Sequence, residues 1–179
     1  MKIYTIGHGN KKAETFLAEL ASFGIEFVLD IRSKPYSKWS PHFNRDELQD
    51  LLKQNNISYV YFGDSLGGLP SDRSCYDGGK VNYSTVQEKD FFKAGIARLH
   101  TAADKGYKVA LMCSESAPGD CHRSKLIGEV LLEDGIEVIH ITGSNLSISQ
   151  NEAILEATGG AGTEDLFGSV DLTSRKRYE

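Results

Sequence analysis

Five short apolar runs recur along the chain: KIYTIG (2–7), EFVLDI (26–31), SYVYF (58–62), KVALMC (108–113) and EVIHIT (137–142). They are β-branched or aromatic and mostly continuous rather than alternating, the pattern of strands covered on both faces of a sheet. Between them, apolar positions fall at helical spacing. Ala13, Phe16, Leu17 and Leu20 mark a first helix closed by Gly24. NRDE at 44–47 reads as a capping box with Asn44 as N-cap, and Leu48, Leu51 and Leu52 supply the stripe of a second helix. A third helix over about 85–105 uses Phe92, Ile96, Leu99 and Ala103. A fourth, over about 121–134, uses Leu126, Ile127, Val130 and Leu131 before Gly135, and a short one follows at about 150–157.

Strands alternating with helices predict βαβ units joined by right-handed crossovers. The expected fold is a three-layer α/β domain over 1–158, with a mainly parallel central sheet of about five strands and helices on both faces. The glycine-rich segment 63–84 is long for a connector and reads as a lid or binding loop, mobile without ligand, over a cleft at the sheet edge. Residues 159–179 read as a flexible tail.

Composition narrows the setting. With 179 residues, 40% hydrophobic and 25% charged, the chain has the makings of one domain with a full core. No apolar stretch approaches the roughly 20 residues of a membrane span, and the N-terminus is a poor signal peptide, so the expected location is cytoplasmic and no membrane partner is expected. Three cysteines make no repeated framework, which favours reduced thiols. The net charge of −5 disfavours general electrostatic coating of nucleic acid.

In an open parallel sheet, ligands bind beyond the carboxyl ends of the strands. The residues that follow the five runs there are chemically rich: His8 and Asn10; Asp30, Arg32 and Ser33; Asp64; Cys113, Ser114 and Glu115; Thr142 and Ser144. The stretch 31–45 adds Arg32, Lys34, Lys38 and Arg45, with Tyr36, Trp39 and Phe43 interleaved and no acid. That mixture suits a phosphate with a stacking base, or a solvated basic loop whose aromatics lie on the core. CSESAPGDCHRS at 113–124 holds two cysteines, a glutamate, a histidine and an arginine at a strand end. With Asp120 as N-cap, Arg123 occupies the first turn of the fourth helix, where a cation opposes the helix dipole unless an anion is bound or an acid such as Glu115 or Asp30 pairs with it. Cys113 faces a helix N-terminus, a setting that favours thiolate. Cys121 is the alternative nucleophile or a redox partner, and Cys113, Cys121 and His122 with His8 could build a metal site.

TIGHGN (5–10), LDIRSKPYS (29–37), FNRDEL (43–48), YFGDSLGG (61–68) and CSESAPGDCHRS together resemble DUF488, a family of uncharacterised proteins, over about 2–142. That resemblance implies no reaction. FVLDIRSKPYS and the strand–cysteine–arginine–helix–strand order of the later part are similar to rhodanese-like domains, in which Cys and Arg stand about six apart on one anion cradle. Here Cys113 and Arg123 are ten apart and Cys121 and Arg123 two apart.

The expected function is binding of an anionic small molecule or nucleotide at the carboxyl edge of the sheet, with no cofactor, in a cysteine-dependent transferase or hydrolase. Cys113 is the expected nucleophile, with His8 or His122 as acid or base and Asp30 orienting an arginine. Arg32, Arg123, Glu115, Asn10, Ser33 and Trp39 are the expected binding residues. The alternatives are a non-catalytic nucleotide- or nucleic-acid-binding module, nucleic acid being the less favoured partner, and a metal-dependent enzyme.

Overall fold

The computed structural model describes residues 1–160, 162, 164–165, 168–169, 172–174 and 177–178. Its main elements, in chain order, are β1 (Lys2–Gly7), α1 (Ala13–Ser22), β2 (Phe27–Asp30), α2 (Arg45–Gln54), β3 (Ser58–Tyr61), α3 (Gly63–Leu66), β4 (Tyr76–Asp77), β5 (Lys80–Val81), α4 (Tyr83–Gln87), α5 (Asp90–Asp104), β6 (Val109–Cys113), α6 (Glu129–Glu133), β7 (Glu137–Gly143), β8 (Leu146–Ser149) and α7 (Gln150–Ala157). The central sheet has the order β3-β2-β6-β1-β7-β8. The five strands read from the sequence run parallel. The sixth, β8, adds an antiparallel edge by turning back on β7.

The period-2 alternation of the strands sorts the core into two layers. Ala110 and Met112 of β6 join Ile6, Val28 and Ile141 under Phe16 and Leu20 of α1 and Leu48 and Leu52 of α2. Val109, Leu111 and Cys113 point the other way, to the layer of Phe92, Ile96 and Leu99 from α5 and Leu126, Ile127 and Leu131 beyond it. The phase of β6 thus commits Cys113 to the face that the later helices cover.

Local signals explain where the helices depart from expectation. Asn44 does not cap α2 with its side chain, because Asn44 Oδ1 accepts the N–H of Ser37 at 2.7 Å. A capping box forms instead at Ser149 and Glu152, which open α7. The third helix is two, α4 and α5, parted at Glu88–Lys89. Segment 63–84 contains α3 and the β4–β5 hairpin, with Leu66, Cys75 and Val81 fully buried. In the segment expected as a tail, Ser174 Oγ accepts from Val81 N at 2.9 Å and Thr173 bridges Asn82. Among the described residues, no helix is long and apolar enough to cross a membrane.

The fourth helix begins as a π-helix, Arg123–Gly128, before α6. A π turn widens the ladder to i→i+5 bonds, here Glu129 N to Ser124 O, a form frequent at functional sites. Gln150 braces the turn: its Nε2 donates to Ser124 O at 3.1 Å and to Glu129 Oε1 at 2.6 Å. Gln150 Oε1 in turn accepts from His140 Nε2 at 2.7 Å, and His140 Nδ1 accepts from Thr5 Oγ1 at 2.7 Å. Burial holds His140 down at about 4. His8 is also lowered to about 4, by burial first and then by the Arg32 guanidinium.

Both histidines therefore stay neutral in the folded chain, while the unfolded chain takes up protons near 6.5. Their contribution to stability is complete above about pH 6.5 and is lost as pH falls toward about 4. The loss is on the order of 3 kcal/mol for each histidine. Urea denaturation between pH 7 and pH ~4.5 should show a falling midpoint, and His140→Gln should remove part of that slope. A midpoint constant over this range would refute the assignment.

Candidate functional site

Beyond the carboxyl ends of β2 and β6 lies a cavity of about 170 Å³, lined by Arg32, Ser33, Cys113, Glu115, Cys121 and His122 among others. Gly7, at the end of β1, lets the turn after β6 come close: a Cβ there would sit 1.9 Å from Glu115 O. Arg123 holds the same turn from the other side. It is 1% exposed, and its NH1 and NH2 donate to the carbonyls of Glu115 at 2.6 Å and Ser116 at 2.9 Å. NH1 and NH2 thus engage two backbone carbonyls rather than the expected carboxylate, and Nε has no partner among the described residues. Asp120, expected as N-cap, instead closes a 3₁₀ turn, Pro118–Asp120. Cys121 takes the capping position: its backbone is extended, and its carbonyl accepts from Ser124 and Lys125.

The two thiols and the imidazole meet at this helix start. Cys113 Sγ, Cys121 Sγ and His122 Nδ1 lie within 4.8 Å of one another. His122 Nε2 donates to Leu66 O at 3.0 Å, which turns Nδ1 toward the sulfurs. Gly68 makes room for the ring, since a Cβ there would lie 2.7 Å from Nδ1. Cys113 Sγ donates to Glu115 Oε2 at 3.0 Å, and the backbone N–H of Arg123 reaches Cys121 Sγ at 3.5 Å.

This environment separates the thiols. Hydrogen bonding to Cys121, then burial, then the negative charges of Cys121 and Glu115 push Cys113 well above the ordinary thiol range. Burial acts against the Cys121 thiolate but is outweighed by the hydrogen bond from Cys113 and by His122 and Arg123, so Cys121 lies well below that range. Burial also opposes charge on His122, and the Cys121 thiolate beside it reverses the balance and raises it. Buried Arg123 has no carboxylate within ion-pairing distance among the described residues, so the Cys121 thiolate is its nearby counter-charge.

A second polar chain backs the cavity. Asp30 is fully buried and accepts from Arg32 Nε at 2.8 Å, from Arg32 NH2 at 2.6 Å and from Tyr59 OH at 2.9 Å. Arg32 NH2 also donates to Phe43 O, and NH1 donates to His8 Nε2 at 3.2 Å. His8 Nδ1 donates to Gly9 O, and the ring stacks on Phe43. Both nitrogens of His8 are engaged, so it positions Arg32 rather than facing the cavity. Four of the five guanidinium N–H groups of Arg32 are accounted for, which leaves one donor for the cavity it lines.

Two expected binding residues stand apart from this group. Asn10 is exposed and Trp39 is 89% exposed with Lys38 over its ring; neither lines the cavity. Phe43 of the same stretch lies in the core and Arg45 stacks on Tyr61. Lys34, Tyr83, Asp120, Ser174 and Tyr178 line the cavity without having been expected there. Lys34 follows Ser33 directly and was legible as part of the basic stretch. Ser174 and Tyr178 lie far along the chain and carry no local signal.

The grip of Arg123 on the turn after β6 has a measurable consequence. Arg123→Leu should destabilise the chain by at least about 2 kcal/mol, because two carbonyls lose their donors. Arg123→Lys should recover only part, since an ammonium cannot present the planar fork. Chemical denaturation of the two variants checks the order; equal stability of the Leu variant and the parent would remove this role.

No curated protein and no solved structure matches the chain. The family model described as "Domain of unknown function DUF488" matches residues 12–130, which takes in β2, β6 and the whole of the Cys113–Arg123 turn. The chain belongs to the DUF488 family.

Proposed function

We propose that the protein is a thiol-dependent transferase or hydrolase acting on a small anionic molecule, with Cys121 rather than Cys113 as nucleophile. The observation that carries this reading is the meeting of both thiols with His122 on the wall of one cavity. Cys121 combines a lowered pKa with a backbone N–H on its sulfur, the setting of an activated thiolate. Cys113 remains a thiol and donates a hydrogen bond.

Size favours a small ligand. A volume of about 170 Å³ is below the roughly 300–1,000 Å³ of pockets that enclose drug-sized molecules, so a compact anion fits better than a whole nucleotide. The free donor of Arg32 and the exposed Lys34 supply the positive side of the cavity. In the reaction, Cys121 Sγ forms a bond to the electrophilic atom of the anion as the bond to the leaving group breaks. The leaving group takes its proton from His122, whose Nδ1 lies 3.6 Å from Cys121 Sγ. Water or a second acceptor then releases the bound group.

Alkylation of the reduced, chelator-treated chain with iodoacetamide, mapped by mass spectrometry, tests this assignment. Cys121 should react first, at a rate that falls only as pH drops through a midpoint below the ~8.5 of a free thiol. Phosphate or sulfate should slow the labelling of Cys121. If Cys113 reacts first, or Cys121 reacts as a free thiol whatever anion is present, the proposal fails.

A further inference from the structure

We infer that Cys113, Cys121 and His122 form a binding site for one thiophilic divalent metal ion of the zinc class. His122 Nδ1 lies 3.6 Å from Cys121 Sγ and 3.9 Å from Cys113 Sγ. A tetrahedral ion with bonds of about 2.3 Å to sulfur and about 2.0–2.1 Å to nitrogen sets its sulfur and nitrogen ligands about 3.6 Å apart. Both separations are close to that edge length, and all three donor atoms fall within 4.8 Å of one another.

Three further features fit a metal rather than a chance cluster. The proton on His122 Nε2 is fixed by the Leu66 carbonyl at 3.0 Å, which directs the Nδ1 lone pair at the sulfurs. That is how protein metal sites set the imidazole tautomer. The Arg123 N–H on Cys121 Sγ supplies an outer hydrogen bond to a ligand sulfur. Gly68 admits the ring, whose position a Cβ would contest at 2.7 Å.

Consecutive residues rarely converge on one ion, because neighbouring side chains diverge in a helix and oppose in a strand. Here Cys121 is extended, with φ −122° and ψ 148°, while His122 is already helical, with φ −61° and ψ −18°. The change of conformation between them turns both side chains to the same point. The donor set selects the ion: two sulfurs and one imidazole suit zinc, whereas magnesium and calcium take oxygen. With three protein ligands on the cavity wall, the fourth position faces the cavity, the pattern of a catalytic site rather than a closed structural one. A bound ion would hold both thiols as thiolates and act as Lewis acid toward the anion in the cavity; it would also occupy Cys121 Sγ and His122 Nδ1, so the thiol reaction belongs to the metal-free chain. The inference rests on donor geometry and goes beyond the nucleophile assignment.

Cobalt(II) titration of the reduced, metal-stripped full chain tests it. One equivalent should give the visible bands of a tetrahedral ion and a near-ultraviolet thiolate-to-cobalt band, and zinc should abolish both. Cys121→Ser and His122→Ala should each weaken cobalt binding at least about a hundredfold. Cys75→Ser should retain it, since Cys75 is not among the cavity-lining residues. Absence of the thiolate band in the unmutated chain overturns the site, and that measurement stands even if a variant does not fold. So does retention of the band in a folded Cys121→Ser, His122→Ala double variant. Because alkylation is read on chelator-treated protein, a failed cobalt titration leaves the Cys121 assignment standing, and a failed alkylation leaves the metal site standing.

Discussion

The arrangement of this molecule depends on one buried guanidinium. Arg123 projects from the start of the π-helix back to the turn after β6 and binds the carbonyls of Glu115 and Ser116 together. β1 closes on that turn through His8 N to Cys113 O and Gly9 N to Ser114 O, and Gly7 leaves the space for it. The end of β6, the end of β1 and the start of the helix become one rigid corner. Cys113 and Glu115 belong to the first of these elements, and Cys121 and His122 to the last. The fork of Arg123 joins the two elements whose thiols then meet at His122. A bidentate planar donor suits two carbonyls of one turn better than any other side chain.

Much of the fold was legible because the five parallel strands are nearly continuous apolar runs, which a doubly covered sheet requires. β8 was not, since LSIS lies at the sheet edge with half of its residues exposed, so little burial shapes its sequence. The capping signature at 44–47 misled because Asn44 had a competing use in the Ser37 turn, while the equivalent signature at Ser149 formed. Of the candidate site, its position at the strand ends and most of its chemistry were readable: Arg32, Ser33, Cys113, Glu115 and His122 all line one cavity. The opposite shifts of the two thiols were not. They turn on which sulfur caps the helix and which carries the shared proton, and spacing alone cannot express either. Helix-dipole reasoning points Arg123 at an anion and does not foresee the two carbonyls that NH1 and NH2 engage.

The polar chain behind the cavity follows a different logic. Asp30 and Arg32 are two residues apart on the end of β2, and their fork-to-carboxylate pairing is almost fully buried. Such pairs are weak sources of stability, because desolvation offsets most of the attraction. What they supply is orientation. Tyr59, the Phe43 carbonyl and neutral His8 use the remaining directions of the pair, so the free N–H of Arg32 has one place to point. The lowered pKa of His8 fits this: burial is its main cause, and an imidazolium there would also face the guanidinium at 3.2 Å.

The same reasoning extends to the far side of the π-helix and explains a buried histidine with no contact to the cavity. In the π turn Ser124 O accepts from Glu129 N, and Gln150 Nε2 adds a second donor to the same carbonyl. Gln150 can approach because residue 128 is glycine: a Cβ there would stand 2.2 Å from its Oε1. The amide is then oriented by His140, and His140 by Thr5, so the register of β1 against β7, Thr5 beside His140, reaches the helix that carries Cys121. Without Gln150 the π form would lose this second hydrogen bond, about 0.5–1.5 kcal/mol, relative to a regular α-helix. A regular helix would change the rotation of the turns after His122 and with it the aim of Arg123. The Thr5–His140–Gln150 chain is therefore part of the site's geometry, although none of its members touches the cavity.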